Sequence, residues 1–161
     1  MTDPIESTSA WMMRTLIELL EADEEIQGLF DLGVGGRRIL KDDPSRISKV
    51  ESRLLCMTQV GERQSDASFD NPSDSMRGSD EYRVSVACTI YAYKDRDSNG
   101  EAEKQLVVNL TGAVRDAILS HQVGPDFAWF DIVHRGSEYD SGEAFRRSDS
   151  LYVLRARMRK H

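Results

Sequence analysis

The residues best suited to metal chemistry lie at Asp95–Gly100, which reads Asp-Arg-Asp-Ser-Asn-Gly. Oxygen-bearing side chains at alternate positions, followed by glycine, match the first half of a calcium-binding loop. A complete loop needs a bidentate glutamate at its twelfth position, and Leu106 stands there. The chain also enters this segment from a predicted strand. We interpret it as an acidic loop that caps the first amides of a helix, and cation binding stays an open question.

No other group of residues has the spacing of a catalytic or cofactor site. The glycines of Gly33–Gly36 follow a predicted helix, whereas a phosphate-binding loop precedes one, so we predict a helix end there. The histidines lie far apart in predicted elements, and neither cysteine has a partner two residues away. We therefore predict no enzyme and no catalytic, cofactor-binding or metal-binding residues. These histidines and cysteines are His121, His134, His161, Cys56 and Cys88.

Length and charge limit the class of protein. A chain of 161 residues fits one domain, which we assign to residues 1–161. The net charge of −7 disfavours tight, sequence-independent binding to nucleic acid. Both cysteines lie in apolar strand-like segments and are predicted to be reduced core residues. The first ten residues do not read as a signal peptide, and no stretch is long and apolar enough for a membrane span.

The first third of the chain is predicted to be mainly helical. Apolar residues recur at helical spacing through Trp11–Leu20, and a shorter helical turn follows over Asp23–Phe30. Arg37–Lys41 and Leu54–Val60 then read as short strands. Residues 62–81 hold six acidic residues, two arginines and few apolar ones. Such a segment buries too little surface to offset the entropy of ordering, so we predict a mobile acidic loop at about 62–81.

The second half predicts strands that flank a long helix. Tyr82–Tyr93 alternates apolar and polar residues over twelve positions, as in a strand with one buried face. Glu101 to about Ser120 reads as an amphipathic helix. Phe127–Val133 and about Ser150–Met158 read as strands joined through a turn-rich stretch at Gly136–Gly142. The predicted fold class is α+β, an antiparallel or mixed sheet of about four to five strands with two main helices packed on one face.

Tyrosines and arginines on the polar sides of two strands form the best candidate for a binding surface. Tyr91 and Tyr93 lie opposite the apolar stripe of one strand, and Arg155, Arg157 and Arg159 line one side of the last strand. Tyrosine and arginine often anchor protein interfaces, so we predict a subunit contact. An ordinary solvated sheet face accounts for the same residues equally well. A contact could pair the arginines with acidic residues of segment 62–81 in a neighbouring subunit.

This order of elements resembles the tail-terminator, or tail-completion, proteins of long-tailed bacteriophages, including the lambda U-like group and related minor tail proteins. The resemblance covers most of the chain as a pattern of elements. It rests on the opening helix Trp11–Leu20, the strand Tyr82–Tyr93, the loop 94–100, the helix 101–119 and the closing hairpin Phe127–Met158.

The resemblance implies a structural virion protein of the tail or neck that is assembled in the host cytoplasm. It implies a homo-oligomer, a hexameric ring, that stops polymerisation of the tail tube. The implied partners are the tail-tube protein and the head–tail connector or neck protein, and DNA would pass through an acidic lumen without specific binding. A head-completion or neck ring protein is one alternative, and a cytoplasmic binding module is another. No membrane or cofactor is implied.

Overall fold

The computed structural model describes residues 8–41, 53–66, 79–94, 99–120, 129–141 and 145–159. Within these ranges the chain forms three α-helices and one four-stranded sheet, all of whose strand pairs are antiparallel. The sheet order is β1-β2-β4-β3. The predicted α+β class is therefore confirmed. The elements are α1 (Thr8–Ala22), α2 (Glu24–Phe30), β1 (Arg53–Asp66), β2 (Ser79–Tyr93), α3 (Glu101–Ser120), β3 (Trp129–Ser141) and β4 (Phe145–Arg159).

All three helices contribute to one apolar core on one face of the sheet. Met12, Leu16 and Leu20 of α1 are fully buried because their spacing places them on one side of the helix. Val84 and Leu154, neighbours in the register of β2 and β4, are also fully buried. Alternate residues of these strands meet the helices, as the period-two pattern predicts. The same core cluster includes residues of α2 and α3.

Local capping explains where α1 ends and α2 begins. The Asp23 side chain accepts hydrogen bonds from the amides of Glu25 and Ile26, at 3.0 and 3.2 Å, which satisfies the first turn of α2. Asp31 ends α2 in the left-handed conformation with φ 53°. A short 3-10 turn at Val34–Gly36 then follows. The glycine-rich segment is therefore part of a helix exit, as predicted.

The predicted strand Arg37–Lys41 is wrong. This segment makes one parallel bridge, between Leu40 and Cys56, instead of a strand. The Leu40 amide donates to Leu55 O at 3.0 Å, and the Met57 amide donates to Leu40 O at 2.8 Å. These bonds cover the edge of β1 only locally.

The predicted loop at 62–81 is too long at both ends. β1 continues to Asp66 and β2 begins at Ser79, and their register remains continuous from Gly61↔Ser85 to Asp66↔Asp80. A hairpin ladder is held by backbone hydrogen bonds, so it extends through residues that bury little apolar surface. Residues 67–78 lie outside the described part of the chain.

The closing hairpin is longer than predicted. β3 runs through the supposed turn to Ser141, and β4 begins at Phe145 instead of Ser150. Gly136, with φ 138°, lies where the register shifts after His134. It marks a β-bulge, which bends a strand without ending it.

The start of α3 depends on Gly100. Its φ is +74°, and a Cβ added there would lie 2.6 Å from Nη2 of Arg146. We expect Gly100→Ala to lower the free energy of unfolding by about 1–2 kcal/mol, measured by urea denaturation. Gly112→Ala, within α3 and with 4.0 Å of clearance, is the matched control. It should raise stability by about 0.5–1 kcal/mol. Equal effects of the two variants would contradict this account.

Candidate subunit-contact surface

The face of the sheet opposite the helices, here called the helix-free face, carries the three predicted contact residues whose side chains are described, Tyr91, Tyr93 and Arg155. The register of β2 with β4 pairs Tyr91 with Arg147, Tyr93 with Phe145 and Arg83 with Arg155. Arg157 and Arg159 follow Arg155 at alternate positions, and their side chains lie outside the described part. The predicted residues therefore share a face, but they form two groups. Eight positions separate Arg147 from Arg155, about 26 Å at ~3.3 Å per residue.

At the first end of this face, Tyr91 is a buried support for other residues. It exposes 4% of its surface. The Phe145 ring meets it edge-on with centroids 5.5 Å apart, and the Arg147 guanidinium lies 5.4 Å from its centroid. Both geometries are favourable for aromatic and cation–π contacts. Tyr91 thus positions Arg147 and Phe145, and these half-buried residues present the surface at this end.

Asp149 fixes Arg147 from the other side. Arg147 donates through Nε to Asp149 Oδ2 at 2.9 Å and through Nη2 to Oδ1 at 3.0 Å. Thr89 Oγ1 donates to Asp149 Oδ1 at 2.8 Å. A bidentate arginine–carboxylate pair has a fixed geometry. This end of the face is therefore preorganised.

The centre of the helix-free face is small and aliphatic. Leu151 pairs with Ala87 on β2 and Gly136 on β3, and Val153 pairs with Ser85 and Val133. Leu151 exposes 39% of its surface. An apolar centre with polar surroundings is the usual anatomy of a protein interface.

Sequence reasoning missed Arg147, Asp149, Phe145 and Leu151 as parts of one surface. The predicted strand began at about Ser150, whereas β4 begins at Phe145. The available signal was the continued alternation of side chains back to Phe145. The cross-strand partners that join these residues follow from the register, which the sequence does not specify by itself.

A ladder of hydroxyl groups lies beneath α3 on the opposite face. Thr111 Oγ1 and Ser148 Oγ are 2.6 Å apart, and Ser137 Oγ lies 2.7 Å from Ser150 Oγ. His134 Nε2 is 3.0 Å from Ser137 Oγ. A serine–histidine nucleophile needs a third group to orient the base. Among the described residues no carboxylate is hydrogen-bonded to His134, and these hydroxyl contacts link β3 to β4 and β4 to α3.

The thiol next to this ladder is held in its neutral form. Cys88 is buried, and desolvation, assisted by Cys56 and Asp149, raises the pKa of its thiol from 9.0 to about 12. Burial likewise raises the pKa of the Tyr152 hydroxyl above its usual range of about 10. A neutral buried thiol is a poor nucleophile. Both cysteines are free and buried, as predicted.

The Cys88 shift predicts a loss of stability in alkali. The unfolded chain releases this proton above pH 9.0 and the folded chain retains it until about pH 12. Stability is therefore full below pH 9 and falls by up to about 1.4 kcal/mol per pH unit above it. Urea unfolding at pH 8.5 to 10.5 should show a shallower fall in Cys88→Ala. Parallel pH profiles would contradict the assignment.

The structure describes only part of the predicted calcium-like segment. The described residues contain no group of three or more histidine, cysteine or acidic side chains placed to hold a metal. Asp95–Ser98 of the calcium-like segment lie outside the described part, as do His121 and His161. At the end of the calcium-like segment, Asn99 Oδ1 accepts a hydrogen bond from the Glu101 amide at 3.1 Å, which is the predicted helix cap. The Arg146 guanidinium donates hydrogen bonds to Asn99 O at 2.7 Å and to Gly100 O at 3.3 Å. These two carbonyl oxygens are therefore already bound by a positively charged side chain.

A groove of about 320 Å³ lies between α1 and β1. The described residues that line it include no carboxylate, histidine or cysteine. None of the described helices combines the length and apolar character that crossing a membrane requires. The groove is lined by Ala10, Met13, Arg14, Ile17, Lys41, Met57, Thr58 and Gln59.

No protein-family model matches the chain. No curated protein matches it. Among solved structures, its fold is similar to that of a chain in the virion of a native gene transfer agent (GTA) particle. The two chains share 16% sequence identity with a TM-score of 0.52, and the match covers 89% of this chain and 92% of that chain. The likeness therefore concerns the fold of nearly the whole of both chains.

Proposed function

We propose that this chain is a structural component of a phage-like virion. The observation that carries the proposal is the fold likeness, over 89% of the chain, to a chain of a gene transfer agent virion. The candidate sites agree with a structural role, because the described residues offer an organised surface and no assembled catalytic group. Fold alone does not define function, so the surface has to supply the rest of the argument.

The more specific role is that of a tail terminator. Such a protein forms a hexameric ring at the head-proximal end of the tail tube and stops the tube from growing. The helix-free face supports this role because the preorganised Arg147, the aliphatic centre and the paired Arg83 and Arg155 have the composition of a protein interface. A ring built from identical chains needs two complementary surfaces on each copy.

The expected partners follow from that position. One side of the ring would meet the tail-tube protein and the other would meet the head–tail connector or neck protein. DNA would pass through the lumen without specific binding, since a chain of net charge −7 repels a phosphate backbone. The protein would be assembled into the virion in the host cytoplasm and would act without enzymatic turnover.

Co-assembly with the adjacent tail-tube protein tests the role. With the chain present, tubes should have uniform length and a ring at one end in negative-stain micrographs. The isolated ring should have a mass of about 109 kDa, six times the 18.2 kDa of one chain. Tubes that grow without limit, together with rings that bind the connector instead, would replace the terminator by a head-completion or neck ring protein. Absence from particles altogether would contradict the virion role.

A further inference from the structure

The two outer strands of the sheet run in opposite directions. β1 and β3 lie at its two edges, and every strand pair is antiparallel. β1 is therefore parallel to β4 and opposite in direction to β3. An edge strand offers amides and carbonyls that a further strand can bind. A second copy in the same orientation thus presents its β3 to this β1 as an antiparallel neighbour, with the helices of both copies on one side of the sheet.

The edge of β1 is open beyond its contact with Leu40. The Met57 amide donates to Leu40 O on this edge, and alternation directs the Gln59 amide the same way. Past Met57, no backbone hydrogen bond joins this edge to another described residue. Val60, at the bulge that follows Gln59, exposes 56% of its surface. We call the part of β1 from Gln59 onward its free edge.

The groove between α1 and β1 lies beside the free edge, on the helix side of the sheet. Its apolar lining includes Met13 and Ile17 of α1 and Met57 of β1. Arg14 and Lys41 add two cationic side chains to the lining. Thioethers and cations both make favourable contacts with aromatic rings. The groove is therefore suited to an aromatic side chain on a strand that pairs with the free edge.

Tyr139 supplies such a side chain on the other edge of the sheet. It pairs with Ser148 of β4, whose hydroxyl contacts Thr111 of α3, so Tyr139 is on the helix side. It exposes 54% of its surface in the single chain. A strand added to a sheet keeps its alternate residues on one side. When β3 of another copy pairs with the free edge, its Tyr139 therefore lies on the side of the groove.

Local charge allows two copies to approach at these edges. The chain as a whole carries −7, so its copies repel one another in general. Among the described side chains of β1, the charges of Arg53 and Glu62 cancel. Among those of β3, the charges of Arg135 and Glu138 cancel. Contact between the two edges thus avoids the repulsion that the acidic surface imposes elsewhere.

We infer that β3 of one copy adds to the free edge of β1 of the next copy, with Tyr139 in the groove between α1 and β1. The occupant is a second copy because every chain carries both edges, opposite in direction, with the groove and the ring on the same side. The contact joins different surfaces of the two chains, and repeated contacts of that kind close into a ring. On the helix-free face, the added strand covers Leu151, which is 39% exposed beside Gly136. The inference rests on the proposed ring and names its contact.

Blocking one edge at a time tests the contact. Tyr139→Lys removes the ring and sets a cation against Arg14 and Lys41 of the next copy. Gln59→Pro removes an outward amide, a change that an edge strand accepts. Each variant alone should weaken self-association by at least about tenfold in sedimentation velocity. Tyr139→Phe keeps the ring and should associate as wild type.

Mixing the two blocked variants tests the direction of the contact. Only β3 of Gln59→Pro and β1 of Tyr139→Lys remain intact, so the mixture should stop at two chains. The expected species has a mass of about 36 kDa, twice the 18.2 kDa of one chain. Pairing between two like edges gives a different result, since one of the variants alone would then form the dimer.

Hydrogen exchange shows whether the contact is a strand pairing. The Gln59 amide should exchange at least about tenfold more slowly in assembled wild type than in Tyr139→Lys. The Val84 amide, in the interior of the sheet, should exchange equally slowly in both. Protection of Gln59 that is the same in both proteins would contradict the pairing.

Matched controls separate the contact from general effects of the substitutions. Val108→Lys makes a similar change from an apolar residue to lysine on α3, where Val108 is 40% exposed, and should assemble as wild type. Circular dichroism and thermal melting establish that each variant is folded. If Gln59→Pro does not fold, Val60→Lys replaces it, because lysine on an edge strand also opposes pairing.

The outcomes distinguish the contact from the ring itself. Rings that persist in either folded edge variant, or dimers formed by one variant alone, would overturn the contact and leave the ring proposal intact. A wild-type chain that stays monomeric at about 100 µM would overturn the contact as well. The tail-terminator role is decided separately, by rings seen at the end of the tail tube.

Discussion

Leu154→Ala is expected to lower the free energy of unfolding by about 2–5 kcal/mol. Leu154 is fully buried on β4, with Val84 and Ile132 beside it on the neighbouring strands. Removing its isobutyl group leaves a cavity between the sheet and the helices, which the packed elements fill only in part. Urea denaturation followed by circular dichroism gives the measurement.

The control for Leu154→Ala is its neighbour on the other side of the strand. Val153 lies on the helix-free face and is half-buried. Val153→Ala should therefore cost less than about 1 kcal/mol in the isolated chain. Equal losses from the two variants would mean that both faces of the sheet are packed to the same extent, and the separation of a folding face from an assembly face would fail.

The sequence predicted the elements whose side-chain pattern is set by burial. Tyr82–Tyr93 alternates because one side meets the helices, and Val84, Val86, Cys88 and Ile90 are all buried on that side. α3 also follows its apolar stripe, with Leu110, Val114 and Ile118 buried. In these segments the hydrophobic effect acts on each residue separately. The spacing of apolar residues therefore predicts the type of element and its buried side.

The sequence did not predict the strand ends, since these depend on pairing rather than burial. Glu62–Asp66 is polar, yet it continues β1 because the backbone of β2 runs beside it. Gly136 was taken as part of a turn, but a bulge allows β3 to pass through it. The Leu40–Cys56 bridge is a tertiary contact of a segment without its own strand pattern. Each error arises from a partner that lies elsewhere in the chain.

The positions of the candidate contact residues were predicted in part for the same reason. Alternation grouped Tyr91, Tyr93 and Arg155 on one face, but only the register shows that Tyr91 and Arg155 lie at opposite ends of it. It also brings Asp149 to Thr89 and to Arg147. Tyr91 is mostly buried beneath these residues, so its part in any contact is to hold Arg147 in place. The subunit contact itself remains a prediction.

The two faces of the sheet differ in what covers them, and this difference links the fold to the proposed role. The helices cover only one face of the sheet, so the apolar residues there stabilise the single chain. On the helix-free face, Leu151 and Val153 remain accessible between two charged ends. An antiparallel sheet tolerates such one-sided burial. On the helix-free face Leu54, Cys56, Thr89 and Tyr91 are buried, so only its part around Leu151 and Val153 can vary for assembly without loss of the core.

Leu151→Glu is expected to abolish self-association while the single chain stays folded. Leu151 is 39% exposed at the aliphatic centre of the helix-free face, so the isolated chain solvates a carboxylate there at little cost. In an assembled contact the same carboxylate is buried without a partner, which costs several kcal/mol. Association should weaken at least about 100-fold, as measured by sedimentation velocity, with the thermal midpoint of the monomer nearly unchanged.

Val108→Glu is the control that gives this result its meaning. Val108 is 40% exposed on α3, so the substitution changes an equally accessible aliphatic residue on the helical side. It should leave self-association at the wild-type level. Equal losses from both variants would place copies on both layers of the molecule, and a loss from Val108→Glu alone would move the contact to the helices. Only a loss confined to Leu151→Glu supports assembly through the accessible part of the helix-free face.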